Sequence, residues 1–186
     1  MMVKNTLRYV VGALLAATLL GCASTRVPEG PTYEVAAAHP FVAANRAAVK
    51  QLLNGVAPGL VSPLLVATMV DVNDLRVSSP LGRTLSEQIS SGAVAAGIDV
   101  REIKLRGDVY VREQTGELLL SRELKDIVRV HQAAGVLVGT YAVSRQYVFV
   151  NIKLVRADSG QILRSHDYAL PLDRDVQRLL RTPAER

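Results

Sequence analysis

The chain is 186 residues long, with 22 Lys and Arg against 17 Asp and Glu, three His, one Cys, no Trp and two Phe. A single cysteine excludes an internal disulfide. A net charge of +5 over a sequence of mixed sign, without aromatic platforms, excludes the clustered basic footprint of a nucleic-acid binder.

The first residues have the three zones of an export signal. Lys4 and Arg8 form the positive region, the uncharged run Tyr9–Leu20 follows, and Leu19-Leu20-Gly21-Cys22 ends it. The run is too short to span a bilayer, which takes about 20 apolar residues. Its ending resembles the bacterial lipobox, in which the cysteine sulfur receives lipid and the chain is cut on the N-terminal side of that cysteine. Residues 1–21 are therefore expected to be a signal peptide and Cys22 the lipid-attachment site, which gives the leftover thiol a use. One acyl chain holds a protein at a membrane marginally and several hold it stably. Ala23 and Ser24 follow Cys22, without an Asp to retain the protein at the inner membrane. The usual sorting rule then implies the periplasmic face of the outer membrane. Removing Lys4 and Arg8 with the signal lowers the charge to +3 over 165 residues, the size of one domain.

Residues 22–40 are rich in Pro, Gly, Ala and Thr without an apolar period and read as a tether, closed by His39-Pro40. As a coil, its eighteen residues after Cys22 would span about 25 Å. A domain over 41–186 follows. From Phe41 the period is helical: Asn45, Ala48, Val49, Leu52, Leu53 and Val56 recur at three and four residues, until Gly55, Pro58 and Gly59 end the run. Leu64–Val70 is a short apolar run between Pro63 and Asp71 and reads as one buried strand. Ser79 as N-cap and Pro80 at the first position announce a second helix, with Leu81, Leu85, Ile89, Ala93 and Ala96 on one face. Ile98–Leu105 alternates as a strand. Val109-Tyr110-Val111 and Leu118-Leu119-Leu120 flank Gln114-Thr115-Gly116, a pattern that fits a hairpin or a loop.

Ser121 is placed to cap a third helix, with Leu124, Ile127, Val128, His131 and Ala134 inward and Gly135 as its stop. Three strands close the domain, Val136–Ser144, Tyr147–Arg156 and Gln161–Leu170, the last two joined by Ala157-Asp158-Ser159-Gly160. In the middle strand Val148, Val150, Ile152 and Leu154 point to the core, opposite Tyr147, Phe149, Asn151 and Lys153. A terminal helical segment, Asp173–Arg181, carries Val176, Leu179 and Leu180. The order predicts a single α/β domain, its helices packed on a mixed sheet with an antiparallel C-terminal part.

The arrangements that catalysis requires are missing from this pattern. His39, His131 and His166 stand apart, none with Cys, His or a carboxylate at ligand spacing, so neither a metal site nor a cofactor is legible. His131 reads as a core-edge histidine rather than a base. Asp71 and Asp74 sit after the first strand, where α/β folds often place ligands, but turn chemistry is the favoured reading. Ser78-Ser79-Pro80 is better explained as a helix cap than as a nucleophile, and Asp173 with Asp175 as anions favouring a helix N-terminus. The charged stretch with Arg112, Glu113, Gln114 and Glu117 is the best candidate for a partner surface.

Four stretches resemble the FlgO-type outer-membrane lipoproteins: Val72-Asn73-Asp74-Leu75 with Ser78–Arg83; Tyr110–Glu113 with Gly116-Glu117-Leu118 and Leu120-Ser121-Arg122; Leu137–Tyr141; and Asn151 with Leu154-Val155 and Asp158-Ser159-Gly160. They occur in the family's order over about residues 60–171. The resemblance implies a lipid-anchored, periplasm-facing α/β domain without enzymatic activity, linked to flagellar structure and motility. Its partners would be the lipid bilayer, through acylated Cys22, and other envelope or flagellar proteins, with no nucleic acid and no small-molecule substrate. The competing reading is an envelope binding or assembly module unrelated to flagella.

Cys22→Ser is expected to leave an uncleaved or soluble precursor that takes up no labelled palmitate. Normal labelling and outer-membrane fractionation of that variant would disprove the lipid attachment.

Overall fold

The computed structural model describes residues 30–102, 110–112, 118–120 and 122–181. The chain divides into two units, residues 1–37 and 38–186. Among the described residues of the first, a short helix, α1 (Tyr33–Ala37), stands within the stretch read as tether; Thr32 accepts the amide of Val35 at 3.3 Å through its hydroxyl.

The second unit is built on a six-stranded mixed sheet. Its elements in order are α2 (Pro40–Leu52), α3 (Pro58–Val61), β1 (Leu64–Val66), β2 (Val70–Asp71), α4 (Pro80–Ala95), β3 (Val100–Glu102), β4 (Tyr110–Arg112), β5 (Leu118–Leu120), α5 (Arg122–Val130), β6 (Gly135–Val143), β7 (Tyr147–Arg156), β8 (Ile162–Pro171) and α6 (Arg174–Leu180). The strands lie in the order β3-β1-β6-β7-β8, with β2 also on β6. Pairing is parallel at β1–β3, β1–β6 and β2–β6 and antiparallel at β6–β7 and β7–β8. The expected α/β class and the antiparallel C-terminal part are both present. The ambiguous stretch is a hairpin, since β4 and β5 pair antiparallel as a separate two-stranded sheet.

One face of the large sheet carries the main core. Val148, Val150, Ile152 and Leu154 of β7 alternate onto it and are at most 1% exposed. Ala48, Val49 and Leu52 of α2, Leu81, Leu85, Ile89 and Ala93 of α4, and Val176 of α6 cover them. These are helical positions expected from their three-and-four spacing, because only that spacing keeps side chains on one face; Ala96, expected on the same face, lies past the end of α4 and is exposed. On the opposite face, Leu124 of α5, with Ile127 and Val128, packs on Leu65, Val70, Val136, Val138 and Val155, and Leu75 and Ala133 join them.

Further expectations fail here. The third helix stops at Val130, not at Gly135, and His131 is exposed rather than inward. Gln132 takes the left-handed turn with φ 49°, which frees Gly135 to begin β6. The predicted strand Leu64–Val70 is broken into β1 and β2. Val66 to Val70 spans four steps while the paired Leu137 to Thr140 spans three, so one residue bulges out of the ladder. The cap expected at Ser121 and the end of the strand predicted to Leu105 lie outside the described residues.

A polar chain runs through the main core. Asn45, fully buried on α2, accepts the Tyr168 hydroxyl of β8 at 2.7 Å and donates to Gln88 Oε1 of α4 at 2.5 Å. Burial pushes the Tyr168 phenol well above its ordinary range, so it stays a donor. Asn45→Ala should strand both partners and lower stability by about 1–3 kcal/mol, the cost of leaving buried polar groups unpaired. Denaturant unfolding of the purified protein checks this; an unchanged midpoint would show that water replaces the amide at no cost.

Candidate functional site

The segment between β2 and α4 is where sequence reasoning placed possible ligand groups, and turn chemistry accounts for them. Asp71 Oδ1 accepts the Asn73 amide at 2.8 Å and its side-chain Nδ2 at 3.0 Å. Asp74 accepts the Arg76 backbone amide at 3.1 Å and meets its guanidinium through Nε at 3.0 Å and Nη2 at 3.1 Å. Those guanidinium bonds hold the exposed Asp74 carboxyl below its usual range. Ser79 Oγ caps α4 by accepting the Gly82 amide at 3.3 Å, with Pro80 at the first turn. Asp173 caps α6, accepting from Asp175 N at 3.0 Å and Val176 N at 2.8 Å.

Two further serines tie this turn and α4 to the bulge between β1 and β2. Met69 O accepts the Ser78 hydroxyl at 2.7 Å, and Met69 N donates to Ser86 Oγ of α4 at 2.8 Å. The Ser86 hydroxyl faces Gly82 O at 2.9 Å and Ala67 O at 3.3 Å. Tyr141 of β6, 2% exposed, accepts the Ser79 amide at 3.1 Å through its hydroxyl. Two glycines allow this closeness. A Cβ on Gly82 would lie 2.3 Å from Met69 O, and one on Gly139 would lie 2.8 Å from both Met69 Cε and Asn151 O. Three of the motif stretches therefore meet at one place: the turn and start of α4, Leu137–Tyr141 on β6, and Asn151 on β7.

On the sheet face away from the main core, the same strands leave an open groove of about 510 Å³. Helix α5 covers Val136, Val138 and Val155 but not the next rows. Thr140, Asn151 and Asp167 are paired in one row across β6, β7 and β8, and Ala142, Phe149 and Ala169 in the next. Val72 closes one end. Phe149 is 53% and the neighbouring Tyr147 47% exposed, their rings 6.3 Å apart. Asn151 Nδ2 donates to Asp167 Oδ1 and lies 3.3 Å from Ser165 Oγ. This groove was not foreseen. The available signal was Phe149, a large aromatic at an outward position of an alternating strand.

The other predicted residues are scattered. His39 accepts the Phe41 amide at 3.3 Å through Nδ1 at the start of α2. His166 stacks on Tyr168, ring centres 6.2 Å apart, and His131 lies beyond the end of α5. Among the described residues there is no group of three or more His, Cys, Asp or Glu placed to hold a metal. Arg112 is on β4; Glu113, Gln114 and Glu117 of the expected partner surface, like Cys22, lie outside the described residues.

Fold and site together define a mixed-sheet α/β domain with a groove on one sheet face. Residues 46–175, well over half of the chain, match the family model described as FlgO protein, and the chain belongs to that family. No curated protein sequence matches it. Among solved structures it is similar to the LpoB C-terminal domain from Salmonella enterica, with 16% identity, a TM-score of 0.47, and coverage of 71% of this chain and 98% of that one. The LpoB C-terminal domain from Escherichia coli gives 14%, 0.48, 71% and 98%. The PelC dodecamer from Paraburkholderia phytofirmans gives 15%, 0.40, 58% and 70%.

Gly139→Val should force Met69 and the β7 backbone apart and destabilise the protein by about 1–3 kcal/mol, the cost of overpacking. Gly82→Ala should do at least as much, because its nearest obstacle is a backbone carbonyl that cannot swing away. Melting temperatures equal to that of the parent protein would show that the helix and bulge separate freely.

Proposed function

We propose that the chain is a non-enzymatic lipoprotein, anchored through Cys22 in the outer membrane and facing the periplasm, that serves as a structural or assembly component of the flagellum. The observation that carries this reading is the family match over residues 46–175 downstream of Leu19-Leu20-Gly21-Cys22. The acyl chains supply the membrane affinity, and residues 22–40 are the tether between bilayer and domain. Within the described residues, the groups resembling catalytic ones work as caps and turns, which supports action by contact. The partner surface in this reading is the stretch holding Arg112, Glu113, Gln114 and Glu117, whose charges of both signs would steer and register another envelope or flagellar protein.

The test is swimming by cells that carry variants at equal outer-membrane levels. Arg112→Glu combined with Glu113→Arg should change stability by no more than about 0.5 kcal/mol, the usual range for surface positions. It should nevertheless weaken motility, while His131→Gln leaves motility intact. If the charge swap is silent and His131→Gln abolishes activity in a folded protein, action by contact is wrong. Normal swimming of a deletion strain with a disturbed envelope would instead favour a module unrelated to flagella.

A further inference from the structure

We propose that the open groove on the sheet receives a Lys or Arg side chain, flanked by apolar residues, from a segment of a partner protein. The inference rests on the reading that this domain acts by contact, and it names the face and the chemistry of one such contact.

The groove has an apolar row across Ala142, Phe149 and Ala169 and a polar row beside it that ends in Asp167 on the edge strand β8. Val72, Ala142, Phe149 and Ala169 form the apolar part, and Asp167 supplies the only carboxylate among the lining residues. Asn151 fixes that carboxylate by donating to Oδ1. Among the described residues, Oδ2 accepts no hydrogen bond and Asp167 makes no ion pair. An oriented carboxylate beside an exposed aromatic face suits a cation twice over. The charge pairs with Oδ2, and the aliphatic stem or guanidinium plane lies on the Phe149 ring. A purely apolar partner would leave the carboxylate desolvated without a counter-charge, and an acidic one would be repelled. Exposed apolar surface joined to a few convergent polar groups is the usual makeup of a protein-binding patch. Val72, Thr140 and Asn151 each come from a different motif stretch, so the bulge and turn that join those stretches also shape the groove.

The experiment uses the full acylated chain, isotopically labelled and held in detergent micelles. The probes are acetylated pentapeptides of sequence Ala-Leu-Lys-Leu-Ala, Ala-Leu-Arg-Leu-Ala and Ala-Leu-Glu-Leu-Ala. The two basic peptides are expected to shift the amide resonances of Phe149, Asn151 and Asp167, and the acidic one to leave them in place. Asp167→Asn should weaken the basic peptides about tenfold, as loss of a charge-assisted hydrogen bond does. Phe149→Ala should weaken them too, with the remaining spectrum unchanged. Equal binding of the acidic peptide in the parent protein would overturn the proposal even if a variant failed to fold. So would shifts confined to other residues. Concentration-dependent broadening at Phe149 and Asp167 without peptide would assign the face to a second copy of this chain and overturn it as well. Normal swimming of a deletion strain would remove the flagellar reading while leaving the peptide result standing, so the two failures are distinguishable.

Discussion

A one-residue bulge between β1 and β2 sets the geometry on which the rest of this domain depends. Where the strand leaves its ladder, the backbone of Ala67–Met69 needs partners, because buried amides and carbonyls without hydrogen bonds are costly. Ser78 and Ser86 provide them from the turn before α4 and from α4 itself. To reach so far, the helix must approach the strand closely, and Gly82 and Gly139 are the positions at which a side chain would prevent it. Met69 then fills the space above Gly139 and is fully buried. Serines, glycines and bulge form one arrangement; no member is satisfied without the others.

That arrangement has a consequence on the opposite face of the sheet. The chain emerging from the bulge runs along β6 only as far as Asp71, then turns through Val72, whose amide bonds Tyr141 O at 2.9 Å. Val72 is thereby held beside Thr140 and Ala142, at the end of the groove. Helix α5 ends at Val130 and packs on the rows of Val136, Val138 and Val155, leaving the next two rows without a cover among the described residues. An alternating strand with one face in the core and the other facing water is ordinary in antiparallel sheets. Here the water-facing rows hold Phe149 and an oriented Asp167 instead of a uniform polar surface, which is why recognition rather than solvation is the better account of them.

Asn45 shows the same economy in the core. It lies on the apolar stripe of α2, yet it is fully buried because Tyr168 and Gln88 satisfy it from two other elements. A polar chain of this kind, centred on one buried amide with half-buried partners, adds directional bonds to otherwise non-directional packing, and so registers α2 against β8 and α4.

The sequence by itself determined what depends on local spacing. Periods of three and four residues placed α2, α4 and α6, alternation placed β7 and its buried face, and Ser79-Pro80 and Asp173 marked helix starts, because helix faces, strand faces and caps need only a few consecutive residues. The reading of residues 1–21 as an export signal and of Cys22 as its lipid site rests on the same kind of local spacing. Only the tertiary structure decided what depends on residues far apart. The run Leu64–Val70 reads as one strand, whereas in the fold a bulge held by Ser78 and Ser86 divides it in two. Gly135 reads as a helix stop, but the helix had already ended with Gln132 in the left-handed turn. Tyr110–Leu120 fits hairpin or loop until pairing chooses the hairpin. The groove was invisible for the deepest version of this reason: Val72, Thr140, Phe149 and Asp167 belong to four strands or turns, and no spacing within any one of them records which neighbours the sheet will supply.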